Sequence, residues 1–429
     1  MEHQRHDPNG APSPHTHRPD DADLASAPAP RRWLRYLTLL GPAFIAGAWQ
    51  FGPGALTTAV QAGTQYGHAL IWVIVISTVL AIVFTDMSVR VSLRSRGSLI
   101  ETTKQRLGRP MGVLAGVGVF AITLLFSVGN AAAAGLSLSF VFGGSAVGWT
   151  LACTVAVALI ILSRNLYTIL ERLMLGLVAL MALGFVLSAV LTQPHWLDVG
   201  AGFVPTVPAG AEVLLIALVG TNFSMNAAFY IGYATRERGL TQEQYRATTF
   251  TDTIPGIAAP GIMAVFIIVA AATTAGEVGT NAGTLPELAV ALEPAAGPAA
   301  SWIFALGFFG AAFSSMIANA SAGGTLLADG IGLGNRLASK RVKALIMLPL
   351  TFGALVTAIA GEGPVELIVG AQALIVLIAP LLGVVLFLLA NQRRHMSILA
   401  NALWQNVLAV IGILVLLAMS AQLVITNFG

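Results

Sequence analysis

The sequence predicts an all-α polytopic membrane protein of eleven transmembrane helices, ten of them forming two inverted five-helix repeats. Three observations carry this. Only 10% of the 429 residues are charged and 56% are hydrophobic, whereas soluble chains are about 25% charged. Apolar segments of about 20 residues, the length that crosses a hydrocarbon core, recur at 41–64, 68–92, 111–140, 146–163, 166–191, 212–234, 247–274, 299–330, 342–360, 364–390 and 400–426. The basic residues then sort onto one side of that arrangement.

Arg31, Arg32 and Arg35 precede the first span, after Arg5 and Arg18 in the tail. Arg90, Arg94, Arg96, Lys104, Arg106 and Arg109 surround the second loop. Arg164 and Arg172 flank the fourth, Arg236, Arg238 and Arg246 the sixth, Arg336, Lys340, Arg341 and Lys343 the eighth, and Arg393 and Arg394 the tenth. The odd-numbered loops hold no Lys or Arg, only acids such as Glu277, Glu287, Glu293, Glu362 and Glu366. A wrong span count would scatter these charges. By the positive-inside rule the protein is a multi-pass cell-membrane protein with its N-terminus cytoplasmic and its C-terminus outside.

Residues 1–35 read as a disordered cytoplasmic tail, rich in His, Pro, Asp and Arg and without an apolar run. His3, His6, His15 and His17 lie there. Their spacing forms no recognised metal site, so a solvated tail is the plain reading. No cleavable signal peptide is expected before the first span. The organisation expected is a tail (1–35), a first repeat (36–211), a second repeat of opposite orientation (212–390) and an eleventh helix (391–429). One cysteine, Cys153, excludes an internal disulfide and reads as a packing residue. A net charge of +3 implies no nucleic-acid partner. No nucleophile elbow, phosphate loop or metal-ligand spacing appears, so neither an enzymatic activity nor a cofactor is expected. The partners implied are the lipid bilayer and a small solute or metal ion; the oligomeric state is left open.

Within the first span stands Gly52-Pro53-Gly54-Ala55. Proline removes a backbone donor and clashes with the preceding turn, and glycine accepts almost any backbone angle. A break at bilayer depth survives only where the freed backbone faces protein or a water-filled cavity. Secondary transporters build their binding sites from such breaks, in the first helix of each repeat. The sixth span, first of the second repeat, reads Gly220-Thr221-Asn222-Phe223-Ser224-Met225-Asn226, poor helix material and polar in an apolar context. A second unwound segment is expected over 220–226; the competing reading is a polar packing interface. Helix breaks are therefore assigned to Gly52, Pro53, Gly54 and Gly220.

Elsewhere the polar residues have plainer readings. Asp86 and Arg90, one turn apart near a span end, read as a surface ion pair. Asp252 reads as a helix cap or as a gate to an inner vestibule. Ser314, Ser315, Asn319 and Ser321 read as close-packing residues, one face of which lines a permeation route in the sharper reading. Asn130, among alanines, reads as helix glue.

These residues resemble the Nramp family of proton-coupled divalent metal transporters over most of 41–426. Gly41-Pro42, nine residues, then Gly52-Pro53-Gly54-Ala55 stands where the family has Gly-Pro, nine residues and Asp-Pro-Gly-Asn. Gln61-Ala62-Gly63-Thr64-Gln65-Tyr66-Gly67, the small-residue eighth span with Ala322-Gly323-Gly324, Gln372 eight residues before Pro380, and Trp404-Gln405-Asn406 fit as well. The resemblance implies a LeuT-like fold with broken helices 1 and 6. Together with the residues at the two breaks it gives an expected substrate site of Gly52, Ala55, Asn222, Ser224, Met225, Asn226 and Gln372, with Gln372 a candidate metal ligand and Met225 a sulfur ligand only if the register moves by one residue.

The departures are chemical. The family's metal-binding Asp and Asn are Gly52 and Ala55 here, and its Met-Pro-His falls on Ser224, Met225 and Asn226. Its third-helix acidic pair falls near the neutral Ser127 and Asn130. Hard cations regain lost hydration from oxygen ligands, usually including carboxylates, and soft ones select sulfur and imidazole. Two functions therefore stand: transport of a divalent metal through an altered, uncharged site, or transport of a different small solute (neutral, anionic or a monovalent ion) on the same scaffold.

Overall fold

The computed structural model describes residues 41–163, 167–278, 284–361 and 364–428. The N-terminal tail and its four histidines lie outside the described residues. The principal helices are α1 (Pro42–Gln50), α2 (Pro53–Tyr66), α3 (Ile71–Arg94), α4 (Leu99–Leu107), α5 (Arg109–Phe142), α6 (Ala146–Leu162), α7 (Tyr167–Leu191), α8 (Glu212–Asn222), α9 (Met225–Glu237), α10 (Ile254–Val278), α11 (Ala300–Gly330), α12 (Lys340–Ala360), α13 (Pro364–Leu374), α14 (Ala379–Ala390) and α15 (Leu403–Phe428).

Among the described residues, eight helical stretches are long and apolar enough to cross a membrane, and nine if α13 and α14 form one span. The segments expected as spans 1 and 4 are helical, but as two short halves (α1 and α2) and as a 17-residue helix (α6). By length and apolarity the expected count of eleven is thus not reached.

Packing relates the two halves of the chain. α10 packs on α2 as α3 packs on α9. α7 lies against α11 as α13 lies against α5, and α6 lies against α5 as α12 lies against α11. This reciprocity is what two repeats of one topology produce. The most extensive contact joins α5 to α11, and small residues line it. Gly116 faces Gly330, and a methyl on Gly323 would collide with Thr123. Lipid is as apolar as leucine, so close backbone approach between small residues, with van der Waals contact, replaces hydrophobic burial as the force between helices.

α13 wedges between α5, α8 and α2. It gives way to a 3-10 turn (Ile375–Leu377), and α14 leaves at 40° with Pro380 in its first turn. Proline cannot donate to the preceding turn, which fixes the bend there.

Candidate functional site

α1 stops at Gln50. Phe51 (φ −73°, ψ 48°) and Gly52 (φ −86°, ψ 179°) are non-helical, and α2 starts at Pro53. Pro53 has no N–H to donate back into α1, and it suits the first position of a new helix, where that donor is unused. Phe51 N still donates to Gly47 O and Leu56 N to Gly52 O, each at 3.1 Å. The last carbonyls of α1 and the N–H groups of Gly54 and Ala55 lack intrahelical partners of this kind. The second interruption is Phe223 (φ −90°, ψ 61°) and Ser224 (φ −79°, ψ 94°), between α8 and α9.

Side chains from four elements meet at these two interruptions. Ser224 Oγ donates to Asn226 Oδ1 at 2.5 Å, and Asn226 Nδ2 donates to Asn319 Oδ1 at 3.1 Å. Ser315 Oγ, one turn before Asn319 on α11, donates to the Trp49 carbonyl at 2.9 Å. A methyl on Gly52 would lie 3.3 Å from Ser315 Oγ and 3.8 Å from Asn130 Oδ1. A space of about 10 Å³, room for the centre of about one water, is lined by Trp49, Gln50, Phe126, Ser224, Asn226, Ala227 and Asn319. None of these carries a charge.

Gln372 is buried between the two broken spans. A methyl on Gly54 would lie 2.5 Å from its amide carbon, and one on Gly129 3.2 Å from its Nε2. Its Oε1, the Asn130 Nδ2 and the Trp49 Nε1 are buried without a hydrogen-bond partner. Such orphans are rare, since each costs about 1–3 kcal/mol unless water or a ligand satisfies it.

Several expected roles are corrected here. Gly220 is not at a break: it is helical, within α8, and a methyl on it would collide with the Gln372 backbone carbonyl. It serves close packing of α8 on α13. Gly220→Ala should therefore lower stability by about 1–3 kcal/mol, the cost of overpacking against backbone that cannot yield; the melting temperature of the purified protein checks this. Gly54 is likewise helical and makes room for Gln372, while Pro53 opens a helix and Gly52 alone of the three is extended.

Asn222 is turned away from the hollow. Its Nδ2 lies within bonding distance of Ile74 O (3.1 Å), Ser77 Oγ (2.7 Å) and Thr78 Oγ1 (2.8 Å), all on α3. Met225 is fully buried, with its terminal methyl beside Gly383 of α14 and not among the polar groups. It is not among the residues lining the small hollow at the interruptions. Ala55 sits buried in the first turn of α2 and brings only a methyl group and its N–H.

Asp86 and Arg90 are no surface pair. Arg90 is 2% exposed and Asp86 7%. Arg90 Nε donates to Asp86 Oδ2 at 2.8 Å, and its other nitrogens donate to Leu399 O at 2.7 Å and Asn401 Oδ1 at 2.8 Å. Tyr245 OH donates to Asp86 Oδ1 at 2.8 Å, and Gln405 Nε2 to Oδ2 at 3.3 Å. This pair clamps α3 to the segment before α15.

Asp252 is a cap, for a helix remote in sequence. Its carboxylate accepts from Gly41 N at 2.7 Å and Ala43 N at 3.1 Å, at the N-terminus of α1, where the helix dipole favours negative charge. Asp329 accepts from Ser98 Oγ, and Lys104 Nζ approaches its carboxylate to 4.0 Å. Among the described residues, no group of three His, Cys, Asp or Glu gathers as a metal site.

Four residues at the hollow are undervalued by the sequence reading. Ser315 and Asn319 were grouped with Ser314 and Ser321; the i, i+4 spacing puts one pair on the face toward Trp49 and Asn226, while Ser314 Oγ donates to Ala311 O within its own helix. Asn130 reads as helix glue, yet its amide lies beside Gly52. Gln50, an amide two residues before Gly-Pro-Gly, carried a signal that was available in the sequence. Ser127, by contrast, donates to Thr123 O in its own helix, and its carbonyl packs on Gly353.

A sequence profile of the natural resistance-associated macrophage protein-like family, Nramp, matches residues 43–426. A curated relative, the divalent metal cation transporter MntH of Deinococcus radiodurans, is 27% identical over 399 residues, covering 91% of this chain and 90% of the relative. The MntH of Erwinia tasmaniensis is 28% identical over 79% of this chain and 82% of its own length. A crystal structure of the Eremococcus coleocola manganese transporter superposes with a TM-score of 0.75 at 17% identity, covering 93% of this chain and 90% of that one. MhsT in complex with L-phenylalanine gives 0.58 at 15% identity, covering 88% and 98%. The fold expected from the resemblance, LeuT-like with its first and sixth helices interrupted, is the fold observed.

Proposed function

The chain belongs to the Nramp family, and from that premise we propose that it is a secondary transporter moving a divalent metal cation by alternating access through a site of neutral dipoles. The observation that carries this reading is the convergence of the Trp49 carbonyl, Ser315, Asn130, Asn226, Asn319 and Gln372 on two interrupted helices, with buried orphan atoms among them. The relatives named as metal transporters support the cargo.

The electrostatics define what such a site does with a cation. With no carboxylate to offset its charge, a divalent ion cannot shed all its water here; hard ions such as Mg²⁺ keep several waters even at acidic sites. Amide and carbonyl oxygens then contact the ion's remaining waters as well as the ion. The Asn226 and Asn319 oxygens each accept a hydrogen bond in the closed chain Ser224–Asn226–Asn319. Each of these oxygens keeps a second lone pair that a cation can take while the chain stays intact, which links occupancy to the junction of α9 and α11. Orientation follows from the basic loops, with the N-terminus cytoplasmic and the C-terminus outside.

Protein reconstituted in vesicles is expected to take up at least one of Mn²⁺, Mg²⁺ and Cd²⁺. Absence of uptake for all three removes this reading. Asn226→Ala and Gln372→Ala should each reduce uptake about tenfold or more, the effect of losing about 1.4 kcal/mol of a site interaction. Uptake unchanged in both variants would withdraw the site assignment.

The uncharged lining favours one alternative, the same scaffold carrying a small neutral or anionic solute. The open N-termini of α2 and α9 would then face an anion's charge. A protein silent toward metals that takes up such a solute establishes that alternative.

A further inference from the structure

Beside the end of α3 is a pocket of about 460 Å³, separate from the helix breaks. Three elements build it: Arg94 and Arg96 from the end of α3 and the turn after it, Arg106 from α4, and Arg394 with His395 from the short helix Arg393–Met396. The positive-inside rule accounts for arginines on this side of the protein. It does not account for four of them, from three elements, converging on one concavity. None of the residues lining it is acidic. The nearest carboxylate in sequence, Glu101, is engaged with Lys104 at 3.8 Å and accepts from Gln105 at 3.0 Å. Among the described residues, none of the four arginines has a carboxylate within ion-pair distance.

The floor of the pocket is built, not loose. Arg94 Nε donates to the His395 carbonyl at 2.8 Å, and Arg106 approaches His395 Nδ1 at 2.9 Å. A guanidinium only donates, so Nδ1 accepts and the ring proton sits on Nε2, facing Ser95 Oγ at 3.4 Å. Burial and the neighbouring Arg106 and Arg94 hold the imidazole below its ordinary pKa, in keeping with that neutral form. His395 thus aims two guanidinium groups without adding a fifth positive charge.

We propose that this pocket binds a phosphate-bearing anion. Planar guanidinium forks match the paired oxygens of phosphate, and four like charges with no carboxylate partner among the described residues favour an anion between them. The phosphate has two sources, the headgroup of an anionic phospholipid at the cytoplasmic surface or a soluble phosphate compound. The proposal does not depend on which solute the transporter carries.

The test uses the purified full-length protein. Its melting temperature is measured with pyrophosphate, with phosphatidylglycerol and with phosphatidylcholine at matched ionic strength. Arg96→Gln/Arg394→Gln is the variant, since both side chains are exposed and form no ion pair among the described residues. A rise of several degrees with pyrophosphate, lost in the variant, supports the proposal and identifies a soluble ligand. A rise with phosphatidylglycerol alone, lost in the variant, supports it and identifies a lipid headgroup. No rise with either anion, or an equal rise in the variant, overturns it.

Discussion

Arg90→Leu is expected to destabilise the folded chain by about 3–5 kcal/mol, the cost of leaving a buried carboxylate unpaired. Asp86 would keep its hydrogen bonds from Tyr245 and Gln405 but lose its only ion-pair partner among the described residues. The Leu399 carbonyl and the Asn401 amide oxygen would each lose a donor. Asn401 and Asn391 both donate to Asn406 Oδ1 at 2.8 Å, so the disturbance spreads along the junction of α14 and α15. The double variant Asp86→Asn/Arg90→Leu should be milder than Arg90→Leu alone, because no charge is then left buried and unpaired. Thermal unfolding of the purified single and double variants checks the order. A fully stable Arg90→Leu protein would mean that this network does not hold α3 to α15.

Gly52→Asp with Ala55→Asn is expected to raise Mn²⁺ affinity about tenfold or more, since a carboxylate supplies the charge compensation that a divalent ion lacks here. The geometry permits it at a cost. A side chain at Gly52 starts 3.2 Å from the Trp49 carbonyl and 3.3 Å from Ser315 Oγ, which must yield slightly. Asn130, whose Nδ2 is buried without a partner, lies beside that position and gains an acceptor when its amide turns. Without metal the added carboxylate is a desolvated charge, and the variant should melt lower than the parent protein. Mn²⁺ should then restore stability, by the logic of a ligand that binds only the folded state. A melting temperature indifferent to Mn²⁺ would show that the interruption of α1 does not lie on a metal path.

The two helix interruptions were legible to different degrees. Pro53 weakens the helix locally, through a missing donor and two flanking glycines, although Pro260 and Pro349 each sit inside a continuous helix, so proline alone does not dictate a break. At the sixth span composition misled. Gly220 reads as a breaker, but it is a contact residue for the Gln372 carbonyl, and helix continues two residues further. Glycine weakens a helix and permits close packing for the same reason, its missing side chain, and sequence does not say which use is made of it.

The polar residues divide in the same way. Asn222 and Asn226 lie four positions apart and read alike, yet one is tied to α3 and the other to Asn319. The chemistry of Asp86 and Arg90 was read correctly as a pair, and its location was not. Spacing along one helix shows that two charges can meet, whereas their burial depends on Tyr245, Leu399, Asn401 and Gln405, all more than 150 residues away.

The sequence by itself determined that this is a helical membrane protein of the Nramp kind, interrupted at Gly52-Pro53, with its basic residues on alternate loops. The family rests on resemblance of its motifs; the other features follow from bilayer solvation and covalent geometry, which act on each segment separately. Only the tertiary structure decided which amides face the common hollow and which arginines share a pocket. In a soluble protein the rotation of each helix is announced by an apolar stripe. Here both the lipid and the protein interior are apolar, so the stripe vanishes and rotation is set by contacts with neighbouring helices.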